Sequence, residues 1–321
     1  MDSTRCSRRI AGAAIATLLG QAFAARAADY PTRPIELVVP SSAGGGTDIV
    51  ARAFAGAARG HSPQPFIVIN RPGASGAIGM GEVLNARLDG YKVSVVIVEL
   101  AILPLLGQIR FTTDDFRMIA RLNADPAAIV VPSGARWSTI EEFVADARSR
   151  AGQITLGNAG VGSIWHLAAA ALEEKTGAQF LHVPYQGSAP GLLALVGGHV
   201  AAIAVSPGEA TAHVSGGRAK VLAVMADRRV AGFEDVPTLK ERGIDLSIGN
   251  WRGIAVPKAT PQPVVDFLAD ITRKVALDAG FQDALSRSNL GYAYLETGDF
   301  EAAIRQEREF FVHLARNLQL Q

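Results

Sequence analysis

Pro40-Ser41-Ser42-Ala43-Gly44-Gly45-Gly46-Thr47-Asp48 follows the apolar run Ile35-Glu36-Leu37-Val38-Val39 and precedes Ile49-Val50-Ala51-Arg52-Ala53-Phe54-Ala55, a helical pattern. A strand, a glycine turn and a helix start in that order present backbone N–H groups to an anion. Glycine permits left-handed turns and close approach, and a helix start offers unpaired donors at the positive end of its dipole. No Lys-Ser/Thr pair follows the glycines, so this is not a P-loop. The spacing Gly44-x-Gly46 continues to Ile49 where the dinucleotide fingerprint needs glycine. A plain tight turn, with Thr47 and Asp48 as ordinary cap residues, is the competing reading.

A second stretch repeats the arrangement. Gly157-Asn158-Ala159-Gly160-Val161-Gly162-Ser163 follows a short apolar run at 153–156 and opens the helical pattern Ile164-Trp165-His166-Leu167-Ala168-Ala169. A third glycine segment, Asn70 to Gly79, has a Gly-x-x-Gly-x-x-Gly spacing that fits no nucleotide motif; it is either structural or part of a cleft wall. Around these loops, β-branched runs (35–39, 66–69, 92–98, 128–131, 153–156, 180–183, 200–205, 220–226) alternate with helical patterns (49–59, 82–87, 139–150, 163–175, 189–196, 208–214). The alternation falls into two blocks, before and after Ala124-Asp125-Pro126, which predicts two doubly wound α/β halves. After residue 226 the rhythm changes to one extended stretch, 249–257, and three helices at 263–279, 281–288 and 299–318. That tail has too few strands for its own sheet and is expected to complete the first half. The chain would then visit lobe one, lobe two and lobe one again: 28–125 plus 238–321, and 126–237. Ligands of open α/β sheets collect at the carboxyl ends of strands, so the two loops should face each other across a cleft.

Residues 1–27 read as a cleavable leader: Arg5, Arg8 and Arg9, then the apolar Ile10 to Gly20, too short to span a bilayer, then Ala25-Arg26-Ala27 as a small-x-small cut site. The Arg8-Arg9 pair leaves both the general and the twin-arginine export routes open. Cleavage leaves 27 Lys+Arg (31 less 4) against 29 Asp+Glu (30 less 1), a slightly acidic balance that argues against nucleic-acid binding, which needs a basic footprint. The one cysteine, Cys6, lies in the leader, so the mature chain has no disulfide, thiol nucleophile or thiolate metal site. No later segment reaches about 18 uninterrupted apolar residues, and a soluble, periplasmic, monomeric protein is expected.

PSSAGGGTD, NRPGASGAIG, GNAGVGSIWHLAAAALEEKTG, HVPYQGSAPGLLALVGGHV and VPTLKERGIDLSIGNWRGIAVPKATP, in that order and spacing from about Tyr30 onward, resemble the Bug-type receptors. These are the extracytoplasmic solute-binding components of tripartite tricarboxylate transporters. The resemblance implies a periplasmic-binding-protein fold of two α/β lobes joined by a hinge, and a cleft that closes on a small organic carboxylate. It implies a two-part membrane permease as partner, and neither catalysis, cofactor nor metal. Di- or tricarboxylates lead as ligands, with aromatic, pyridine and amino-acid carboxylates behind; a sensor feeding a membrane signalling protein stays open as the alternative role. Carried over by position, the implied ligand-binding residues are Ser42, Ala43, Gly44, Gly45, Thr47 and Asp48 in the first loop, and Val161, Gly162, Ser163 and His166 in the second. Ser206 and Tyr185 add a further wall and the floor, and Arg252 is the charged candidate for a distal ligand group. Three positions depart from the family pattern: Ser41 where an aromatic is common, Ala201-Ala202 where an acid is common, and Glu99 where a polar turn is usual. Glu99 must face away, meet a base or serve a ligand that carries a donor.

An enzyme reading would use Ser163, His166 and Asp48, but Val161-Gly162-Ser163-Ile164-Trp165 is no nucleophile elbow, and a serine at a helix start is ordinarily a cap. The six histidines include no H-x-x-x-H pair.

Overall fold

The computed structural model describes residues 30–318; the leader expected over 1–27 lies outside the described residues. Strands β1 (Ile35–Val39), β2 (Phe66–Asn70) and β3 (Lys92–Ile97) run parallel, with β1 between the others. They are joined by α1 (Gly46–Ala58) and α2 (Ala77–Leu84), and the short α3 (Glu99–Ile102) follows β3 directly. Val50, Phe54 and Ala58 recur every fourth residue and lay one face of α1 on the sheet. Phe54 is fully buried, worth about 1.5–3 kcal/mol of apolar transfer.

Next comes β4 (Phe116–Pro132), 17 residues and about 55 Å long, enough to run through two sheets. The second block then winds through α4 (Ile140–Ser149), β5 (Ile154–Asn158), α5 (Ile164–Thr176), β6 (Phe180–Pro184), α6 (Ser188–Val196), β7 (Ala202–Val205), α7 (Pro207–Ser215) and β8 (Ala219–Met225). The chain returns along β9 (Gly249–Pro257) and ends in α8 (Gln262–Ala276), α9 (Ala279–Arg287), β10 (Tyr292–Glu296) and α10 (Thr297–Leu318).

The first sheet has the order β2-β1-β3-β9-β4-β10, the second β6-β5-β7-β4-β8. They share β4, whose residues 116–126 pair with β9 and whose residues 127–132 pair with β8. Pro126, which has no N–H to give, falls where β4 changes partners, so no ladder bond is lost inside a sheet. The stretch 238–248, assigned from sequence to the first lobe, runs along β8 of the second sheet. Leu239 N–H reaches Val224 O (2.8 Å) and Ile248 N–H reaches Met225 O (3.0 Å). Helices α8 and α9 pack with α1 under the first sheet, through Leu268, Ile271, Phe281 and Leu285. Helix α10 packs on β4, β10 and α3 and also on α5, so it touches both sheets.

Two strands were not foreseen: the first half of β4, where Asp125-Pro126 reads as a breaker, and β10, a short run without alternation. The helix expected at 82–87 lies at Ala77–Leu84.

Candidate ligand site

The first loop is built around Gly44, whose φ of +80° is open to glycine at little cost. Its N–H is accepted by Asp48 Oδ2 at 2.9 Å, one helical turn on. The same oxygen accepts from Arg52 Nε (2.9 Å), and Oδ1 accepts from Asn70 Nδ2 (3.0 Å), which also donates to Ser41 O (3.1 Å). Burial alone would raise the Asp48 pKa, but the bonds from Arg52, Gly44 and Asn70 outweigh it and hold the carboxyl below its usual range. Asp48 therefore shapes the loop.

The second loop has the same construction. Gly162 has φ +79°, and its N–H is accepted by His166 Nδ1 at 3.2 Å, again four residues on. Accepting through Nδ1 requires a neutral imidazole. Burial, with His182 edge-on at 4.8 Å adding to it, pushes the His166 pKa down to about 4. Ser163 caps α5 by accepting from His166 N–H (3.2 Å). The Nδ1 lone pair is thus held by Gly162 and the serine hydroxyl serves the helix, so the two form no nucleophile–base pair.

Between the loops lies a cavity of about 430 Å³. Its mouth is tight: Ser75 Oγ donates to Val161 O across the sheets (2.8 Å), and a Cβ placed on Gly187 would come within 2.6 Å of Ser42 Oγ. The hydroxyls of Ser41 and Ser42 are buried at the wall without a protein partner. Two acids also line it. Glu209, the third residue of α7, forms a reciprocal cap with Ser206 (Ser206 N–H to Oε2 3.2 Å, Glu209 N–H to Ser206 Oγ 3.3 Å). Its Oε1 takes Ser188 Oγ (2.8 Å), Gly46 N–H (3.2 Å) and Arg252 Nη2 (3.0 Å). Glu99 Oε1 accepts Ile164 N–H at 3.0 Å. Burial pushes Glu99 up to about 7, against the lowering pull of the Ile164 bond and Arg252, and Glu209 adds to the rise.

Of the residues singled out from sequence, Ser42, Gly45, Thr47, Val161, Ser163, Tyr185 and Arg252 line the cavity. Ala43, Gly44, Asp48, Gly162, His166 and Ser206 stand behind the wall, the last four as partners that hold the loops and Glu209 in place. Arg252 is 1% exposed. It is bound by Asp125 (2.7 Å), Asn123, Asn250 (3.3 Å) and Thr47 (3.0 Å) besides Glu209. Trp251 beside it points away from the cavity, donating to Glu307 on α10 (2.9 Å) with its ring against Phe300. Sequence reading missed Glu209, Ser188 and Gln108 in the lining, since each looks like a local cap or a polar surface residue. Among the described residues no cluster of His, Cys, Asp or Glu is built to hold a metal ion, and no helix is long and apolar enough to cross a membrane.

Two α/β sheets sharing a long strand, with paired helix-start loops closing on one cavity, define a receptor of the periplasmic-binding type. Over residues 50–316 the chain matches the family described as "Tripartite tricarboxylate transporter family receptor", and it belongs to that family, whose members are solute-binding receptors and not enzymes. Protein BugT of Bordetella pertussis is 31% identical over 273 residues, covering 84% of this chain and 83% of BugT. A TctC solute binding protein from Polaromonas, solved without ligand, is 52% identical with a TM-score of 0.66, covering 89% of this chain and 99% of its own. An R. palustris protein solved with adipate is 25% identical with a TM-score of 0.84, covering 91% and 99%.

Proposed function

We propose that this chain is an exported, monomeric receptor that captures a small organic carboxylate between its two sheets and presents the closed form to a two-component membrane permease. The observation that carries the reading is the pair of equivalent loops around Gly44 and Gly162, facing one cavity whose wall holds the unpartnered Ser41 and Ser42 hydroxyls. Hydroxyls and helix starts receive carboxylate with little side-chain ordering, and the dipoles favour its charge. The volume, near the lower end for small-molecule sites, suits a ligand of few carbons.

The two sheets act as lobes that turn about the shared β4 and its partner β9. This is supported by the comparison of shapes: the ligand-free relative is twice as identical as the adipate-bound one, yet superposes less well. Localisation in the periplasm rests on the leader pattern and on the family.

The test is calorimetric titration of protein stripped of endogenous ligand by unfolding and refolding, using dicarboxylates from malonate to adipate and amino- and amido-carboxylates of matching length. At least one acid should bind at a single site and be recovered unchanged. Absence of binding across the set, or recovery of an altered acid, refutes the reading. Uptake of the bound acid should then vanish when the permease pair is deleted.

A further inference from the structure

The starts of α1 and α5 at the cavity are each already met by a carboxylate from the opposite sheet. Glu209, on α7 of the second sheet, accepts Gly46 N–H at the start of α1. Glu99, on α3 beside the first sheet, accepts Ile164 N–H at the start of α5. The protein thus fills with its own acids one N–H donor at each of these two helix starts, donors that a ligand carboxylate would otherwise compete for. Both acids line the cavity, with the Glu99 residue 6% exposed and the Glu209 side chain 3% exposed.

The charge around the cavity points the same way. Arg252 is the one cationic side chain among the described lining residues, and it is paired with Asp125 and Glu209, so the three together carry one negative charge. Glu99 adds a second carboxyl with no cation in direct contact. A further ligand carboxylate near it would meet like charge in a poorly solvated space, whereas an N–H group would find an acceptor. Near neutral pH Glu99 is divided between its two forms, and an arriving cation or N–H donor would draw it to the ionised one. Among the donors facing the cavity, the hydroxyls of Ser41 and Ser42 are buried without a protein partner and open to a ligand carboxylate.

Resting on the receptor reading and narrowing it, we infer that the cavity selects a monocarboxylate bearing an N–H donor, an amino- or amido-carboxylate. Glu99 receives the nitrogen, and the Ser41–Ser42 wall receives the carboxylate. Glu99 is on this account the residue that separates such ligands from dicarboxylates of equal length.

The test compares matched acids by calorimetry at mildly alkaline pH, where Glu99 is ionised: succinate, glutarate and adipate against their half-amides, the ω-amino acids of equal length, and simple α-amino acids. In wild type the best nitrogen-bearing acid should bind about tenfold or more tightly than its matched dicarboxylate. In Glu99→Gln, whose amide oxygen still accepts Ile164 N–H, that ratio should collapse to within about threefold or invert. Tighter binding of the dicarboxylate by wild type, as a protonated Glu99 pairing with a second carboxylate would give, overturns the inference and leaves the receptor reading intact. So does a ratio that Glu99→Gln does not change. Binding of none of these acids would instead refute the receptor reading, and this inference with it.

Discussion

Gly46→Ala adds a single methyl group at the first turn of α1. An ideal Cβ there would lie 2.5 Å from Arg252 Nη2 and 2.7 Å from Glu209 Oε1, well inside contact distance. Both atoms end long side chains, but neither side chain is free to move: Arg252 is 1% exposed and held by five partners, and Glu209 is fixed at its other oxygen by Ser206. The methyl is therefore accommodated by parting Glu209 from Gly46, which breaks one of the bonds that join the second sheet to the first. A hydrogen bond to a charged group contributes about 1.5–3 kcal/mol, so ligand affinity should fall about 10- to 150-fold. Alanine in place of glycine favours a helix by up to about 1 kcal/mol, less than the bond that is lost, so the unliganded protein should also melt below the wild-type temperature. Gly45→Ala is the control. A Cβ at Gly45 meets only Ser42 O at an ordinary 3.5 Å. Calorimetric titration alongside thermal melts reads both effects. If Gly46→Ala binds within threefold of Gly45→Ala, the Glu209 bridge contributes nothing to the closed form.

Three further outcomes are expected. Arg252→Met should cost about 3–5 kcal/mol in urea unfolding, because it strands Asp125 and Glu209 as buried charges; a cost under about 1 kcal/mol would mean that water reaches them. Ser42→Ala should weaken carboxylate binding without changing stability. Ser163→Ala should lower stability by about 1 kcal/mol through the lost α5 cap, and equal effects of the two on unfolding would contradict their assigned roles. Protonation should act in opposite senses at two residues. The depressed His166 pKa gives stability that is present above its ordinary value near 6.5 and lost as pH falls toward about 4, and His166→Asn should flatten that loss. The raised Glu99 pKa gives stability that is full below about 4.5 and lost as pH rises through about 7, so melting of Glu99→Gln should exceed wild type at alkaline pH and converge with it in acid.

The β-α rhythm and both glycine loops were legible in the sequence because they are local: apolar runs set the strands, and glycines followed by cap residues set the turns. Glu99 stood out as an acid where the family has a polar turn, and it does line the cavity. Glu209 did not stand out, because Ser206-Pro207-Gly208-Glu209 is a complete capping box by itself. Its second set of partners lies across the cleft, 163 residues away at Gly46. Arg252 looked available to a ligand because Asp125, its charge partner, becomes a neighbour only through the β4–β9 register, which pairs Asp125 with Asn250. The same long-range pairing conceals the first half of β4, whose Asp125-Pro126 has the composition of a linker.

Helix α10 lies behind both halves of the cavity. It packs on α3, whose first residue is Glu99, and on α5, whose first residue is Ile164, and His313 on its outer turn meets Glu174 of α5 at 3.2 Å. The two arms that meet at the Glu99–Ile164 bond thus bear on a common back-stop, as the jaws of tweezers bear on their joined end. The proposed turn of the two sheets about β4 would slide or tilt α5 along α10, and the friction of release would then be set in part on a surface remote from the ligand. Substitutions at that seam would change how long a ligand is held without touching anything the ligand touches.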